Sequence, residues 1–368
     1  MPAASAWSIV EQAAGAILGL AILLDVFLTV LYARAGTGIF SYFIAKTIAN
    51  LFRLTARNFD KRRGTILSYS GPLTLVSIVG FWSILLAVAA AMIIHPDLGT
   101  SVTSSSMPDD RDFITALFAG GNSLSIVGTG DFTPQTTPFK LFYFYNSLVG
   151  TAVISLTLTY LMQVYNALQR RNSLALHVHQ LTGETADAAQ MIAMLGPSGK
   201  FDSGNSDLSS LANNMTQAKE SHHFYPVLFY FRFRESLYSV SQFALVSLDA
   251  CTLIRSALDE TEYGWLKRSA PVDQLYRSAK MLTKMLTENF VKGNEQSKPE
   301  PPDQKTIELW HKRFLEAVRT IDAAGIKTQK DESAMRQYIE IRTDWQHLIS
   351  TLGPAAALAS EEIDPKAS

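Results

Sequence analysis

Ser125-Ile126-Val127-Gly128-Thr129-Gly130-Asp131 decides how the rest of this chain is read. Gly128 and Gly130 stand one residue apart, and glycine reaches positive φ at little steric cost. Upstream, Phe113 to Leu124 has helical character, with Asp112 placed to cap its first turn. This helix is too short to cross a bilayer. Gly120-Gly121 weakens it as a free helix, so tertiary packing must hold it. Downstream, Phe132-Thr133-Pro134 turns the chain back. Long apolar runs follow on either side, Leu73 to Ile94 and Leu141 to Val164. The pattern predicts a loop, 112–134, that descends partway into a membrane and returns to the side it left.

Those two runs and a third, Ile9 to Tyr32, are each long enough to cross about 30 Å of hydrocarbon as a helix. Ala33-Arg34-Ala35 after the first run resembles a signal-peptide cleavage site. However, no basic residue precedes that run, Glu11 and Asp25 interrupt it, and it is too long for the apolar part of a signal. It is read as a retained span. Asp25 lies deep in it, where a charge costs at least a few kcal/mol. A protonated carboxyl, or one snorkelling toward the inner interface, is the favoured reading. A packing or gating partner in the protein interior is the other. Gly15-x-x-x-Gly19 permits close helix packing, and Gly71-Pro72 marks the entry to the second span.

Lysine and arginine set the orientation. Arg34, Lys46, Arg53, Arg57, Lys61, Arg62 and Arg63 lie between the first two spans against Asp60 alone, so that side faces the cytoplasm. Asp97, Asp109, Asp110 and Asp112 lie between the second and third spans, with Arg111 as the one Lys or Arg before Ser125, so that side faces out. Arg170 and Arg171 hold the end of the third span inside. Residues 38–57 are part apolar and part basic at helical spacing, which reads as an amphipathic helix lying on the inner surface. If that helix crossed instead, Arg34 would lie outside and the amino terminus inside, and the 112–134 loop would face the same way.

From Arg170 the chain reads as soluble and helical, with breaks at Gly196-Pro197-Ser198-Gly199 and Ser297-Lys298-Pro299-Glu300-Pro301-Pro302. Tyr225 to Leu258 is rich in apolar residues, but Arg232, Arg234, Glu235, Asp249 and Arg255 make it a core helix or helix pair rather than a fourth span. Ile307 to Ile321 and Met335 to Leu348 repeat apolar residues every three or four positions and pair as a hairpin around Gly325. The 368 residues carry a net charge of −1, which suggests no nucleic-acid partner. Cys251 is the one cysteine, so no intrachain disulfide forms. His177, His179, His222 and His223 read as surface or capping residues. No nucleophile–base pair, metal set, phosphate loop or dinucleotide motif appears, so the chain is not read as an enzyme.

The stretch from Leu24 to Leu176 resembles bacterial members of the potassium-channel superfamily with a single pore loop. Three segments carry the resemblance: Leu24 to Val30, the 113–131 helix and loop, and Thr157-Leu158-Thr159-Tyr160 leading to Arg170–Ala175. It implies that 113–124 is a pore helix and that Ser125, Ile126, Val127, Gly128, Thr129, Gly130 and Asp131 form a selectivity filter. Such a filter holds a dehydrated cation on backbone carbonyls. Two positions depart from the family. Its filter threonine aligns with Ile126 and its aromatic residue with Thr129, which puts strict potassium selectivity in question. No span carries the repeated arginines of a voltage sensor.

The expectation is an all-α membrane protein with three transmembrane helices, a re-entrant pore helix and filter loop, and a helical cytoplasmic domain. Residues 1–171 form the pore domain, 172–352 the regulatory cytoplasmic domain and 353–368 a flexible tail. Gly150 is the candidate gating hinge, and Ser155, Thr157 and Thr159 face a wet cavity or hydrogen-bond between helices. One filter loop per chain implies a homotetramer in the cell (inner) membrane. It needs no cofactor or metal beyond the permeant cation, potassium first and sodium second. The competing reading is a non-conducting or weakly selective sensor or scaffold derived from a channel. No motif names a regulatory ligand or gating stimulus.

Overall fold

The structure is a computed structural model that describes residues 6–32, 38–59, 62–105, 111–128, 130–291 and 301–355. Thr129, Asp109, Asp110, the 33–35 stretch, most of the 297–302 break and the tail from 356 lie outside the described residues. The described chain is helical apart from one pair of short strands. It divides into two compact units: the chain up to Ala49 with Pro72–Val164, and Asn50–Gly71 with the chain from Tyr165 onward. This division falls seven residues before the expected boundary and assigns 50–71 to the second unit. The reason is local: Ser70 donates to the Tyr230 carbonyl at 2.7 Å.

In the first unit, α1 (Ala6–Val26) runs into a π-helical turn, Phe27–Leu31, and α2 covers Phe40–Arg57. A short α3 (Arg63–Ser68), which belongs to the second unit, leads into α4 (Ser70–Ile94), α5 covers Phe113–Leu124, and α6 covers Thr137–Leu181 and runs on into the second unit after Val164. Among the described residues, three helical stretches are long and apolar enough to cross a membrane: Ala6–Leu31, Arg63–Asp97 and Thr137–Leu181. Their outward faces carry large apolar side chains such as Trp7, Ile17, Val76, Ile84 and Leu158, which suits hydrocarbon and not water.

Small residues bring these helices together. A Cβ on Gly15 of α1 would stand 2.8 Å from the Ala89 carbonyl oxygen of α4, and one on Gly120 of α5 would stand 2.6 Å from that of Ala87. The Ala87–Ala91 run of α4 is therefore a low seat for both neighbours. Asp25 is fully buried and accepts from Phe40 N at 2.9 Å, Ser41 Oγ at 2.6 Å and Trp82 Nε1 at 2.8 Å. This corrects the snorkelling reading. The carboxyl is a packing partner, and it caps the first turn of α2 through two of its donors. Among the described residues, part of the serine-rich 96–108 loop forms a strand. β1 (Val102–Ser104) pairs antiparallel with β2 (Phe132–Pro134), with Thr103 opposite Thr133.

The second unit is built from α7 (Ala188–Leu195), α8 (Asp202–Phe224), α9 (Val240–Ala257), α10 (Glu260–Lys267), α11 (Ala270–Phe290), α12 (Gln304–Ala323) and α13 (Glu332–Ala355). Asp187, Asp259 and Asp303 accept from the first-turn amides of α7, α10 and α12 and so mark their starts. Helix α9 is buried along nearly its whole length and packs against α7, α11, α12 and α13. This is the core helix expected within 225–258. Helices α12 and α13 pair across a turn in which Gly325 has φ 80°, and α13 continues to Ala355, past the expected end at 352.

Its core holds one buried charge network. Asp249 accepts from Arg313 (Nε at 3.1 Å, Nη2 at 2.9 Å), Arg342 Nη1 at 2.7 Å and Tyr338 Oη at 2.9 Å. Burial alone would raise this carboxyl, but Arg342, Arg313 and the Tyr338 hydroxyl more than offset it and hold it below the usual range. His222 departs from the surface or capping role expected of it. It is fully buried on α8, and neither ring nitrogen has a hydrogen-bond partner among the described residues.

Candidate functional site

The 112–134 segment is held from three sides. Asp112 Oδ1 accepts from Thr115 N at 2.8 Å and starts α5 where the sequence placed it. Along α5, Gly120 lies on the alanine run of α4. On the far side, a Cβ on Gly150 of α6 would stand 1.9 Å from the Leu124 carbonyl oxygen. Only hydrogen fits there, so the carbonyl end of α5 rests directly on α6. Next to that contact, Asn146 Nδ2 donates to Ser123 Oγ at 2.9 Å, and Ser123 Oγ donates to the Gly120 carbonyl at 2.7 Å. Gly150 sits inside an unbroken helix, so this contact gives the residue a packing reason separate from any hinge.

The loop itself begins as Ser125 N donates to the Asn122 carbonyl at 3.1 Å and leaves the helix in an extended conformation. Val127 N donates to Ser125 Oγ at 3.3 Å. Gly128 has φ 56° and Gly130 φ 76°, both in the left-handed region that favours glycine. Ser125, Ile126, Val127 and Gly130 are exposed on the single chain, and the Val127 side chain is 91% exposed. Gly128 and Asp131 are half-buried. The exit is clamped: Ser105 N donates to the Asp131 carbonyl at 3.0 Å, and Gln135 N to the Ser101 carbonyl at 2.8 Å. Both bonds extend the β1–β2 pair.

The sequence reading named Ser155, Thr157 and Thr159 together, and the structure separates them. Thr157 is buried, with its hydroxyl unpartnered among the described residues. Ser155 and Thr159 are exposed and share a face of α6 with Ser147 and Thr151. Thr151 and Thr159 return their hydroxyls to the carbonyls four residues back, Ser147 O at 2.8 Å and Ser155 O at 2.9 Å. Ser147 and Thr151 were missed at the sequence level, although the four-residue spacing of the hydroxyls was the signal. Among the described residues no group of three or more His, Cys, Asp or Glu could hold a metal ion.

Comparison with known proteins places the chain near one uncharacterised membrane protein, YdjJ of Bacillus subtilis strain 168. The two are 21% identical over 296 residues, 79% of this chain and 82% of the relative. No protein-family model matches the chain, and no solved structure matches it. The apolar helices and this likeness together mark the chain as a membrane protein.

Proposed function

We propose that the chain is one subunit of a tetrameric cation channel of the potassium-channel superfamily, with residues 125–131 as the filter. One observation carries the reading: Gly128 and Gly130 both take positive φ in an exposed loop that leaves the carbonyl end of a short, partway helix. That conformation can turn consecutive carbonyls toward one path. The carbonyl end of α5 adds a partial negative charge beside it. Four chains are needed to close a carbonyl ring, and the Ser147, Thr151, Ser155 and Thr159 face supplies polar lining below it. The excess of lysine and arginine supports a cytoplasmic second unit in a cell (inner) membrane protein, with a regulatory rather than catalytic role. Potassium is the first candidate ion and sodium the second, since Ile126 lacks the hydroxyl of the family's innermost ion site.

Purified protein in planar bilayers tests this. A cation current is expected. Gly128→Ala should abolish it while membrane insertion survives, because the strained φ costs about 1 kcal/mol or more in each of four subunits. Ile126→Thr should shift the bi-ionic reversal potential toward potassium. A current untouched by Gly128→Ala would show that ions take another route. The absence of any current from correctly inserted tetramers would favour the sensor or scaffold reading that the Ile126 and Thr129 departures suggest.

A further inference from the structure

Within the second unit, a cavity of about 330 Å³ opens among Arg63, Arg171, Arg232, Arg234 and the aromatic segment 229–238. Its volume falls at the lower end of ordinary small-ligand pockets, about 300–1,000 Å³. Its floor is buried. Phe231 covers Gly71, whose missing Cβ would stand 2.6 Å from the ring. Arg171 is 2% exposed and donates from Nη1 to the carbonyls of Leu228 at 3.0 Å and Phe231 at 3.2 Å. Its guanidinium lies 5.7 Å from the centre of the Phe233 ring. Ser241 Oγ also lines the cavity, is buried at 1% exposure and has no hydrogen-bond partner among the described residues. Phe233, Arg234 and Glu235 are exposed and, with the half-buried Arg63, form the rim.

The charge of this cavity is one-sided. Four arginines line it against one carboxylate, Glu235. Burial, with added repulsion from Arg53 and Arg63, brings the Arg232 guanidinium down to about 9. Folding that gathers arginines in a partly buried site costs solvation and repulsion. An anion in the cavity would relieve both, and guanidinium forks match phosphate oxygens in geometry. The floor hydroxyl of Ser241 adds a donor, and Phe229, Phe231, Phe233 and Tyr238 supply walls for an apolar or aromatic portion.

We propose that this cavity binds a phosphate-bearing ligand, its phosphate held by Arg63, Arg232, Arg234 and Ser241 and its less polar part packed on the aromatic walls. The chemistry is shared by a lipid headgroup and a soluble phosphorylated metabolite. The site does not depend on conduction. Binding is read directly, so a silent pore leaves this proposal standing, and an empty cavity leaves the channel reading standing.

The test uses the full chain and the rim double variant Arg63→Gln/Arg234→Gln, with matching circular dichroism as the folding control. Ser241→Ala, a smaller change on the floor, is the second variant. Adenosine triphosphate is titrated against the detergent-solubilised protein as the soluble probe. Nanodiscs of phosphatidylcholine with and without phosphatidylglycerol, read by native mass spectrometry, supply the lipid arm. Saturable nucleotide binding assigns a soluble phosphate ligand, and selective retention of phosphatidylglycerol assigns a headgroup. In either case the rim variant should weaken binding at least tenfold and Ser241→Ala by a smaller factor. Binding of neither probe, equal retention of both lipids, or binding unchanged in the rim variant overturns the proposal.

Discussion

His222 and Asp25 show two outcomes for a polar side chain taken out of water. Asp25 meets three donors, so a carboxyl in an apolar helix becomes a joint between α1, α2 and α4. His222 meets no hydrogen-bond partner among the described residues, and burial followed by the positive Arg171 pushes its imidazole down to about 3. The folded ring is therefore neutral, while the unfolded ring takes a proton near pH 6.5. Between those values the unfolded state binds more protons, so stability is complete above pH 6.5 and falls as pH drops toward 3. The loss from this one residue between pH 7 and pH 5 is about 2 kcal/mol. Thermal unfolding of the second unit, followed in the full chain, should show a lower midpoint at pH 5 than at pH 7. His222→Leu should remove most of that difference. An undiminished pH shift in the variant would place its source elsewhere.

At the level of elements, α5 is a helix that its own sequence barely supports. Twelve residues with a Gly120-Gly121 pair would not stay helical alone. What holds it is a set of close approaches: Gly120 on the alanines of α4, and Leu124 against Gly150 of α6. Gly150→Ala tests this directly. A methyl group at 1.9 Å from the Leu124 carbonyl must push the helices apart, at about 1–3 kcal/mol for overpacking. The expected result is a lower thermal midpoint of the membrane part together with loss of cation current. If Gly150 acts as a hinge instead, the midpoint should hold and only open probability should change.

For the whole molecule, the exposed surface of the single chain carries the argument. Val127 at 91% exposure does not suit a lone subunit in water, and the exposed hydroxyl face of α6 does not suit lipid. A ring of four chains would cover both. Mass measurement in nanodiscs should return a tetramer, and cross-linking should run to four subunits. A strictly monomeric protein would remove the basis for a carbonyl-ring filter.

The three helices long and apolar enough to cross a membrane, the capped start of α5 and the buried course of α9 were legible in the sequence. Each depends on properties local in the chain: apolar length, an aspartate before a helix, and apolar content broken by charges that cannot face lipid. The glycines at 128 and 130 were legible for the same reason, since φ preference belongs to the residue itself. Partners distant in sequence were not. Asp25 finds Trp82, Asp249 collects Arg313, Tyr338 and Arg342, and Arg171 turns from an expected positive marker at a span end into a buried donor to Leu228 and Phe231. Residue type alone made His222 look like a surface residue, and it gave no sign of the carbonyl that Gly150 meets. Burial of the one and the carbonyl facing the other arise only when helices pack, because a side chain's surroundings are set by other helices and not by its neighbours in the chain.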